Sequence, residues 1–224
     1  ETQAGKSALP WDHPLNLGPV GVTGSASANG LLMKTIFRMG VPVVGKNIFP
    51  SNIQGLPTWY EIRVTEDGYA GRSGAVNLMV AMNQETYQRD LDELSPGGFL
   101  LYDSTWPRPH FMNRDDVTVI GVPLSKMINA TFEVARSRVL MKNIAYVGAI
   151  AALINLNMDV VHGMIRDMFA SKPKLIDGNI EALSLGYDYA RENIDCELPF
   201  KLETRDKTAG KVMIDGNTAA GLGC

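Results

Sequence analysis

A run of small residues, GVTGSASANG at positions 21–30, offers the first chemistry in the sequence. It follows an apolar stretch and precedes the amphipathic LLMKTIFRMG, so we predict that it joins a strand to the start of a helix. Free backbone N–H groups and the positive end of the helix dipole at such a junction favour an anion such as phosphate. The run does not reproduce Gly-x-Gly-x-x-Gly, and a tight turn also needs small residues, so a purely structural turn stays open.

A lysine stands where a dinucleotide-binding protein carries an acidic residue. The second predicted strand ends in VVGKN, which places Lys46 there. A lysine at this point would suit a ribose phosphate, as coenzyme A or NADP carries, and it argues against NAD. The alternative is an ordinary surface lysine.

Two further loops carry residues suited to a polar or anionic ligand. The segment FPSNIQGLP, residues 49–57, is longer than a hairpin connection and contains neutral donors and acceptors beside a glycine. Arg72 lies between Gly71 and Gly74, where a guanidinium could clamp phosphate or simply stay solvated. The candidates in the first of these loops are Ser51, Asn52, Gln54 and Gly55.

Other groupings of reactive residues point to no catalytic residue and no metal site in this chain. Asp90, Asp92 and Glu93 lie on a short predicted helix, where we expect them to form a solvated face. The three histidines lie in unrelated contexts without metal-ligand spacing. No nucleophile elbow and no Cys/His pair is visible.

Composition places the chain among globular proteins and narrows its partners. Of its 224 residues, 45% are hydrophobic and 20% charged, a balance that supports a substantial core. The net charge is -3 and basic runs are lacking, so we expect no nucleic-acid partner. The most apolar stretch, residues 144–156, is too short to cross a bilayer and is predicted to be a buried helix. Two distant cysteines and no visible export signal favour a reducing, cytoplasmic setting.

The order of elements predicts an α/β fold with three α/β/α layers around a mostly parallel, open sheet. Strands are expected at residues 15–22, 41–44, 58–65, 76–82, 99–102 and 117–121. The helix that follows Gly30 should bury Leu32, Ile36 and Met39, and a short helix at 84–94 should stop at Pro96-Gly97-Gly98.

From Leu124 the pattern is helical. The stripe of the last long helix recurs at 4, 3, 4, 3, 4 spacing, so that helix must dock on a neighbour; its residues are Ile176, Ile180, Leu183, Tyr187, Ala190 and Ile194. Residues 195–211 are charged and aperiodic, which is typical of a linker.

Several of these segments together resemble one protein family. The segments are GVTGSASANG, RMGVPVVGKNIFPSNIQGLPTWYEIRV, GRSGAVNLMVAMN and PGGFLLYDS. In combination they resemble the N-terminal gamma domain of alpha subunits of 2-oxoacid:ferredoxin oxidoreductases. The final GNTAAGLGC resembles the start of the thiamine-diphosphate-related, pyrimidine-binding domain that comes next in those subunits. The resemblance therefore implies a gamma-type domain at 1–194, a linker at 195–211 and the beginning of the next domain at 212–224.

The resemblance implies oxidative decarboxylation of a 2-oxoacid, with 2-oxoglutarate favoured, to an acyl-coenzyme A, with electrons passing to ferredoxin. Thiamine diphosphate, Mg and an iron-sulfur cluster would lie in the later domain and in a beta subunit. The gamma domain would assist coenzyme A binding and subunit packing, and would be inactive alone. The ligand-facing residues implied by matching position are Ser25, Ser27, Asn29, Ser51, Asn52, Gln54, Gly55 and Arg72.

This sequence departs from many relatives at Gln54-Gly55-Leu56, where they have Lys or Arg followed by two glycines. The positive charge expected beside a phosphate is thereby reduced. A stand-alone nucleotide-binding or regulatory module, or a fragment of an NADP-type dehydrogenase, is the alternative interpretation. No membrane partner is expected.

Overall fold

A computed structural model describes residues 13–17, 25–48, 59–71, 74, 76–106 and 114–224. Its first half alternates strands and helices, and its second half is helical. The elements in chain order are β1 (His13–Leu17), α1 (Ser25–Arg38), β2 (Val43–Ile48), β3 (Trp59–Val64), β4 (Val76–Ala81), α2 (Tyr87–Glu93), β5 (Leu94–Asp103), β6 (Thr118–Val122), α3 (Leu124–Thr131), α4 (Ala135–Leu153), α5 (Met158–Met168), α6 (Ile176–Asn193) and α7 (Gly216–Gly223).

The six strands form one sheet in the order β2-β3-β1-β4-β5-β6. β1, β4, β5 and β6 pair in parallel, whereas β3 is antiparallel to both of its neighbours. β2 therefore points the same way as β1, and five of the six strands share one direction. The predicted mostly parallel, open sheet is confirmed.

Helices cover both faces of the sheet. This cover is needed because β4 and the second half of β5 carry apolar side chains on both faces. On one face, α1 and α3 to α6 build the larger core around Leu78, Val80 and Leu101. On the other, Tyr87 and Leu91 of α2 pack with Met79 and Leu100. This arrangement gives the three predicted layers.

α1 begins earlier than the sequence suggested. Ser25 to Gly30 were expected in the loop, but they form the first turns of the helix. Serine and alanine tolerate helical geometry, so the small residues do not mark the helix start. Leu32, Ile36 and Met39 are buried as predicted, and Gly40 ends the helix with φ +79°.

The stop predicted at Pro96-Gly97-Gly98 is wrong, because α2 ends at Glu93 and β5 begins at once. The three residues form an irregularity within β5: Val76 pairs with Leu94, yet Leu78 pairs with Phe99. Gly97 has φ +74°, and its N–H donates to Asp116 O at 2.6 Å. The glycines thus permit a bulge that the partner strand does not follow.

α4 and α6 approach so closely that their backbones touch. Gly148 lies against the backbone at Leu183 and Tyr187, and Gly186 lies against the backbone at Ala145 and Ala149. A side chain at either glycine would overlap a carbonyl oxygen of the facing helix. The predicted buried helix at 144–156 corresponds to the inner part of α4 and the residues after it, which are almost entirely buried.

The aperiodic segment 195–211 is held against the body of the protein. Leu198 and Leu202 are buried, and Leu202 N donates to Ile154 O at 2.7 Å. Arg205 N donates to Met39 O at 2.8 Å, and Lys207 N donates to Gly40 O at 3.0 Å. We call residues 198–208 the strap, since they run from the end of α4 to the end of α1.

The helices of the described residues include none that is both long and apolar enough to span a membrane.

Replacing Gly186 with alanine is expected to lower the free energy of unfolding by about 2–3 kcal/mol, because the new methyl group must push α4 and α6 apart. Gly163→Ala is the matched control. Gly163 lies within α5 with nothing near its missing Cβ, so this change should gain up to about 1 kcal/mol from helix propensity. Urea unfolding of both variants measures the difference, and equal effects would contradict the close helix contact.

Candidate ligand edge of the sheet

The strand register brings five chain connections to one edge of the sheet. β1, β4, β5 and β6 end there at Leu17, Ala81, Asp103 and Val122. Because β3 runs the other way, its first residue, Trp59, lies at the same edge, opposite Ile48 of β2. Open parallel sheets bind ligands in the crevice outside the carboxyl ends of their strands. We call this side the carboxyl edge.

Two of the three predicted ligand loops have their ends at the carboxyl edge. Residues 18–24, which connect β1 to α1, lie outside the described part of the chain, but their two ends are at this edge. Ser51, Asn52, Gln54 and Gly55 also lie outside it; they belong to the connection from Ile48 to Trp59. The backbone therefore brings the ends of the two connections to the same edge of the sheet.

The predicted ligand residues in the first turns of α1 do not all face the same way. Ser25 is the first residue of the helix, and Ser27 is exposed to solvent. Asn29 is buried and accepts a hydrogen bond from Tyr146 Oη of α4 at 2.7 Å. Its carboxamide thus faces the helical layer, and burial raises the pKa of that tyrosine. Sequence spacing alone did not reveal this inward direction.

Arg72 belongs to a loop that starts at the opposite edge. The residue lies outside the described part of the chain, but Gly71 and Gly74 on either side follow the end of β3 and precede β4. Val64, at that end of β3, pairs with His13 at the start of β1. The Arg63 guanidinium donates to Gly71 O, which holds this loop beside the amino end of the sheet.

Lys46 is exposed on the edge strand β2, paired in register with Glu61 of β3. It lies two residues before Ile48 and is therefore close to the carboxyl edge. An exposed ammonium at this place is free to reach a ligand in solution, and its position is also that of an ordinary surface lysine.

Asp103, at the end of β5, was not singled out by the sequence. Its buried carboxylate accepts hydrogen bonds from Thr105 Oγ1 at 2.6 Å and from Ser125 N at 3.2 Å, and Ser125 Oγ also donates to it. Lys142 Nζ of α4 lies 3.9 Å from it. Asp103 thereby occupies the N-terminus of α3 with a negative charge from the chain itself.

The remaining helix starts at the carboxyl edge differ in how they are capped. Asn83 Oδ1, just after β4, accepts from Glu85 N at 3.1 Å and caps the short turn before α2. The first turn of α1 contains no acidic residue. The positive end of the α1 dipole is therefore not neutralised by a carboxylate of its own first turn.

A buried carboxylate also lies at the carboxyl edge, between α2 and β3. Asp90 is fully buried and accepts from Trp59 Nε1 at 2.8 Å and from Thr86 Oγ1 at 2.8 Å. The Arg89 guanidinium stacks 3.8 Å from the centre of the Trp59 ring. The expectation of a solvated face is wrong for Asp90 and right for Asp92, which is exposed. The helical period of so short an element did not show which carboxylate points inward.

Burial raises the pKa of Asp90 from its ordinary value near 3.8 to about 6, because the charged form loses its hydration. Hydrogen bonds from Trp59 and Thr86 oppose this rise, and nearby Glu93 adds to it. The group fixes Trp59 at the start of β3, immediately after the connection that carries the predicted ligand residues.

Metal chemistry finds no support in the part of the chain that is described: it contains no group of three His, Cys, Asp or Glu residues placed to hold an ion. Both cysteines, Cys196 and Cys224, are unpaired thiols.

Comparison with known proteins identifies the family. The pattern of the pyruvate ferredoxin/flavodoxin oxidoreductase family matches residues 17–189, well over half of the chain. The chain belongs to this family. It is 25% identical over 214 residues to subunit alpha of 2-oxoacid:ferredoxin oxidoreductase 2 from Aeropyrum pernix, an alignment that covers 78% of this chain and 33% of the relative.

Solved structures of the oxidoreductases share the fold. The chain is similar to 2-oxoglutarate:ferredoxin oxidoreductase from Magnetococcus marinus, with a TM-score of 0.80, 21% identity, and coverage of 95% of this chain and 36% of that one. It is also similar to pyruvate oxidoreductase subunit PORC from Thermotoga maritima, with a TM-score of 0.63, 18% identity, and coverage of 79% and 96%. The chain thus spans about a third of the subunit alpha relative, and nearly all of a smaller subunit has the same fold.

Asp90→Asn tests the buried carboxylate. A raised pKa in the folded state means that the protonated carboxyl stabilises the fold below about pH 4, and that this stabilisation is lost as the pH rises to about 6. Asparagine is neutral at every pH and can still accept from Trp59. The variant should therefore gain about 2–3 kcal/mol relative to the wild type between pH 4 and pH 7. Urea unfolding at both pH values measures the gain, with Asp92→Asn on the exposed side of α2 as the control. A gain independent of pH would contradict the assignment.

Proposed function

We propose that this chain serves as the gamma-type domain of a 2-oxoacid:ferredoxin oxidoreductase alpha subunit. In that role it supports the coenzyme A-dependent oxidative decarboxylation of a 2-oxoacid, with 2-oxoglutarate the favoured substrate, to an acyl-coenzyme A. Membership of the family and the similarity to a subunit alpha support the proposal. The similar oxidoreductase from Magnetococcus marinus was solved with 2-oxoglutarate, coenzyme A and succinyl-coenzyme A bound.

The observation that carries the proposal is the shared carboxyl edge. The start of α1 and the two ends of the connection 49–58 lie on the same side of the sheet. A coenzyme A phosphate at the start of α1 would meet backbone N–H groups and a helix dipole that no acidic residue of the first turn neutralises. Asp103 and Asn83 already occupy the neighbouring helix starts, which leaves α1 for the ligand.

The proposed ligand residues are those that the carboxyl edge brings together. Asn29 is omitted because its side chain faces Tyr146, and Arg72 is omitted because its loop starts from the opposite edge. The set is Ser25, Ser27, Lys46, Ser51, Asn52, Gln54 and Gly55.

In this proposal, bonds are made and broken outside residues 1–194. Thiamine diphosphate, Mg and an iron-sulfur cluster belong to the next domain, whose beginning is assigned to 212–224, and to a beta subunit. Electrons leave the complex to ferredoxin. The gamma-type domain contributes coenzyme A contacts and a packing surface, and residues 195–211 connect it to the thiamine-diphosphate-related domain.

Ser27→Asp separates coenzyme A binding from a structural role of the α1 start. A carboxylate in the first turn stabilises the helix by up to about 1 kcal/mol but repels a phosphate bound there, so we expect at least tenfold weaker coenzyme A binding in an unimpaired fold. Ser137→Asp, at the same third position of α4, adds the same charge to another helix start and serves as the control.

Titration calorimetry with coenzyme A, NADPH and NADH measures both variants. Tighter binding of either pyridine nucleotide than of coenzyme A would favour the alternative dehydrogenase interpretation. Equal coenzyme A affinity in Ser27→Asp and the wild type would remove α1 from the site. Ferredoxin reduction by the isolated chain, given a 2-oxoacid, coenzyme A and thiamine diphosphate, would contradict its non-catalytic role.

A further inference from the structure

The first turns of α4 extend beyond the start of α1. Tyr146 of α4 contacts Asn29 in the first turns of α1, and Ile154 after α4 holds the strap that docks on Met39 at the end of α1. The two helices therefore run side by side in the same direction. Since a helix rises 1.5 Å per residue, Ala135 lies about 16 Å before Tyr146 along the axis. The start of α4 thus projects past the carboxyl edge.

This projecting end exposes apolar side chains. Val134 is 63% exposed, Val139 40% and Leu140 37%, and Leu175 just before α6 is 42% exposed. Phe132, just before α4, lies beside α6, because a side chain at Gly178 in the first turn of α6 would be 3.7 Å from the Phe132 ring. We call Phe132, Val134, Arg136, Val139, Leu140 and Leu175 the tip. A clustered apolar surface of this kind marks an interaction site more often than scattered exposed residues do.

The tip is also positively charged. Residues 132–140 and 172–178 contain four cations, Arg136, Arg138, Lys172 and Lys174, and two acids, Glu133 and Asp177, in a chain whose net charge is -3. Arg136 shares a face of α4 with Val139 and Leu140, at i, i+3 and i+4 spacing. A cation and two apolar side chains therefore share one face of α4.

The start of α4 adds to this potential. No side chain caps α4, and Arg136 and Arg138 lie in its first turn, where cations oppose the helix dipole. α6 also lacks a side-chain cap, but Asp177 in its first turn offsets its dipole. Other helix starts of this chain are capped by Asn157, Asp215 and, at α3, Asp103. Stability is thus given up locally at a place where apolar side chains are also exposed, and such conflicts are expected at functional surfaces.

We propose that the tip docks the beta subunit of the same oxidoreductase, through a surface of that subunit that presents carboxylates around an apolar centre. Its relatives are subunits of larger enzymes. A second copy of this chain fits poorly, because two positive tips would face one another. The identity of the partner rests on the proposed function. Docking there would place the partner beside the carboxyl edge, where coenzyme A is proposed to bind.

The test measures binding of the purified beta subunit to the immobilised chain by biolayer interferometry, at low and moderate salt. Val139→Glu and Arg136→Glu should each weaken binding at least tenfold, and Arg136→Glu should flatten its salt dependence. Val212→Glu and Arg166→Glu are the controls: they change an exposed apolar residue and an exposed arginine elsewhere, and should stay within twofold of the wild type. Far-ultraviolet circular dichroism confirms that the variants fold.

Unchanged binding of Val139→Glu and Arg136→Glu would overturn the proposal. So would a wild-type dimer, seen by light scattering, that these two variants dissociate, or phosphatidylglycerol vesicles that bind the tip while subunit binding is unaffected. A complex that assembles through the tip but reduces no ferredoxin with 2-oxoglutarate or pyruvate and coenzyme A would leave the interface standing and remove the proposed function.

Discussion

Contact between the backbones of α4 and α6 is the constraint on which the helical half of the protein depends. Gly148 and Gly186 remove the side chains that would separate the helices, so that α4 is enclosed along most of its length. Once fixed, α4 positions α1 through the hydrogen bond from Tyr146 to Asn29. It also anchors the strap through Ile154. One close approach therefore sets the direction of the helix that starts at the carboxyl edge.

The sheet supplies the second half of the site geometry. In an all-parallel sheet, only every second connection would lie at the carboxyl edge. The reversed strand β3 brings both ends of the connection 49–58 to that edge as well. Polar groups of the chain itself, Asn83 and Asp103, satisfy the helix starts on either side. Of the described helix starts that follow a strand at the carboxyl edge, the start of α1 is the one without a carboxylate in its first turn or a capping side chain from a neighbouring strand end.

Much of the fold could be predicted because the hydrophobic periodicity of its strands and helices is clear in the sequence. The apolar run of β4 and the face of α1 that bears Leu32 and Ile36 were both confirmed. In α6, the large apolar residues drew attention to Ile176 and Tyr187, which are only partly buried, whereas the innermost contact uses Ala182 and Gly186. Close helix packing selects for small residues, and hydrophobic periodicity does not register them.

The site was harder to predict, because its residues depend on contacts distant in sequence. Asp103 and Lys142 are 39 positions apart, and neither has a local pattern that marks it. The inward direction of Asn29 depends on Tyr146, and that of Asp90 on Trp59. Small and polar residues predicted connections at 21–30 and 49–57, but residues 25–30 belong to α1, and the rest of both segments lies outside the described part of the chain. Which edge each connection occupies became clear only from the strand register.

The strap bears on where this protein can be divided. The family pattern ends at residue 189, yet Leu198 and Leu202 are buried against the helices, and Arg205 crosses Gly40 so tightly that a side chain there would strike its carbonyl. A fragment that ended with α6 would lack the strap, and the apolar surface that the strap covers would be exposed to solvent. The smallest piece that keeps its own hydrophobic surface closed therefore extends to Thr208, whose hydroxyl donates to Phe37 O at 2.8 Å.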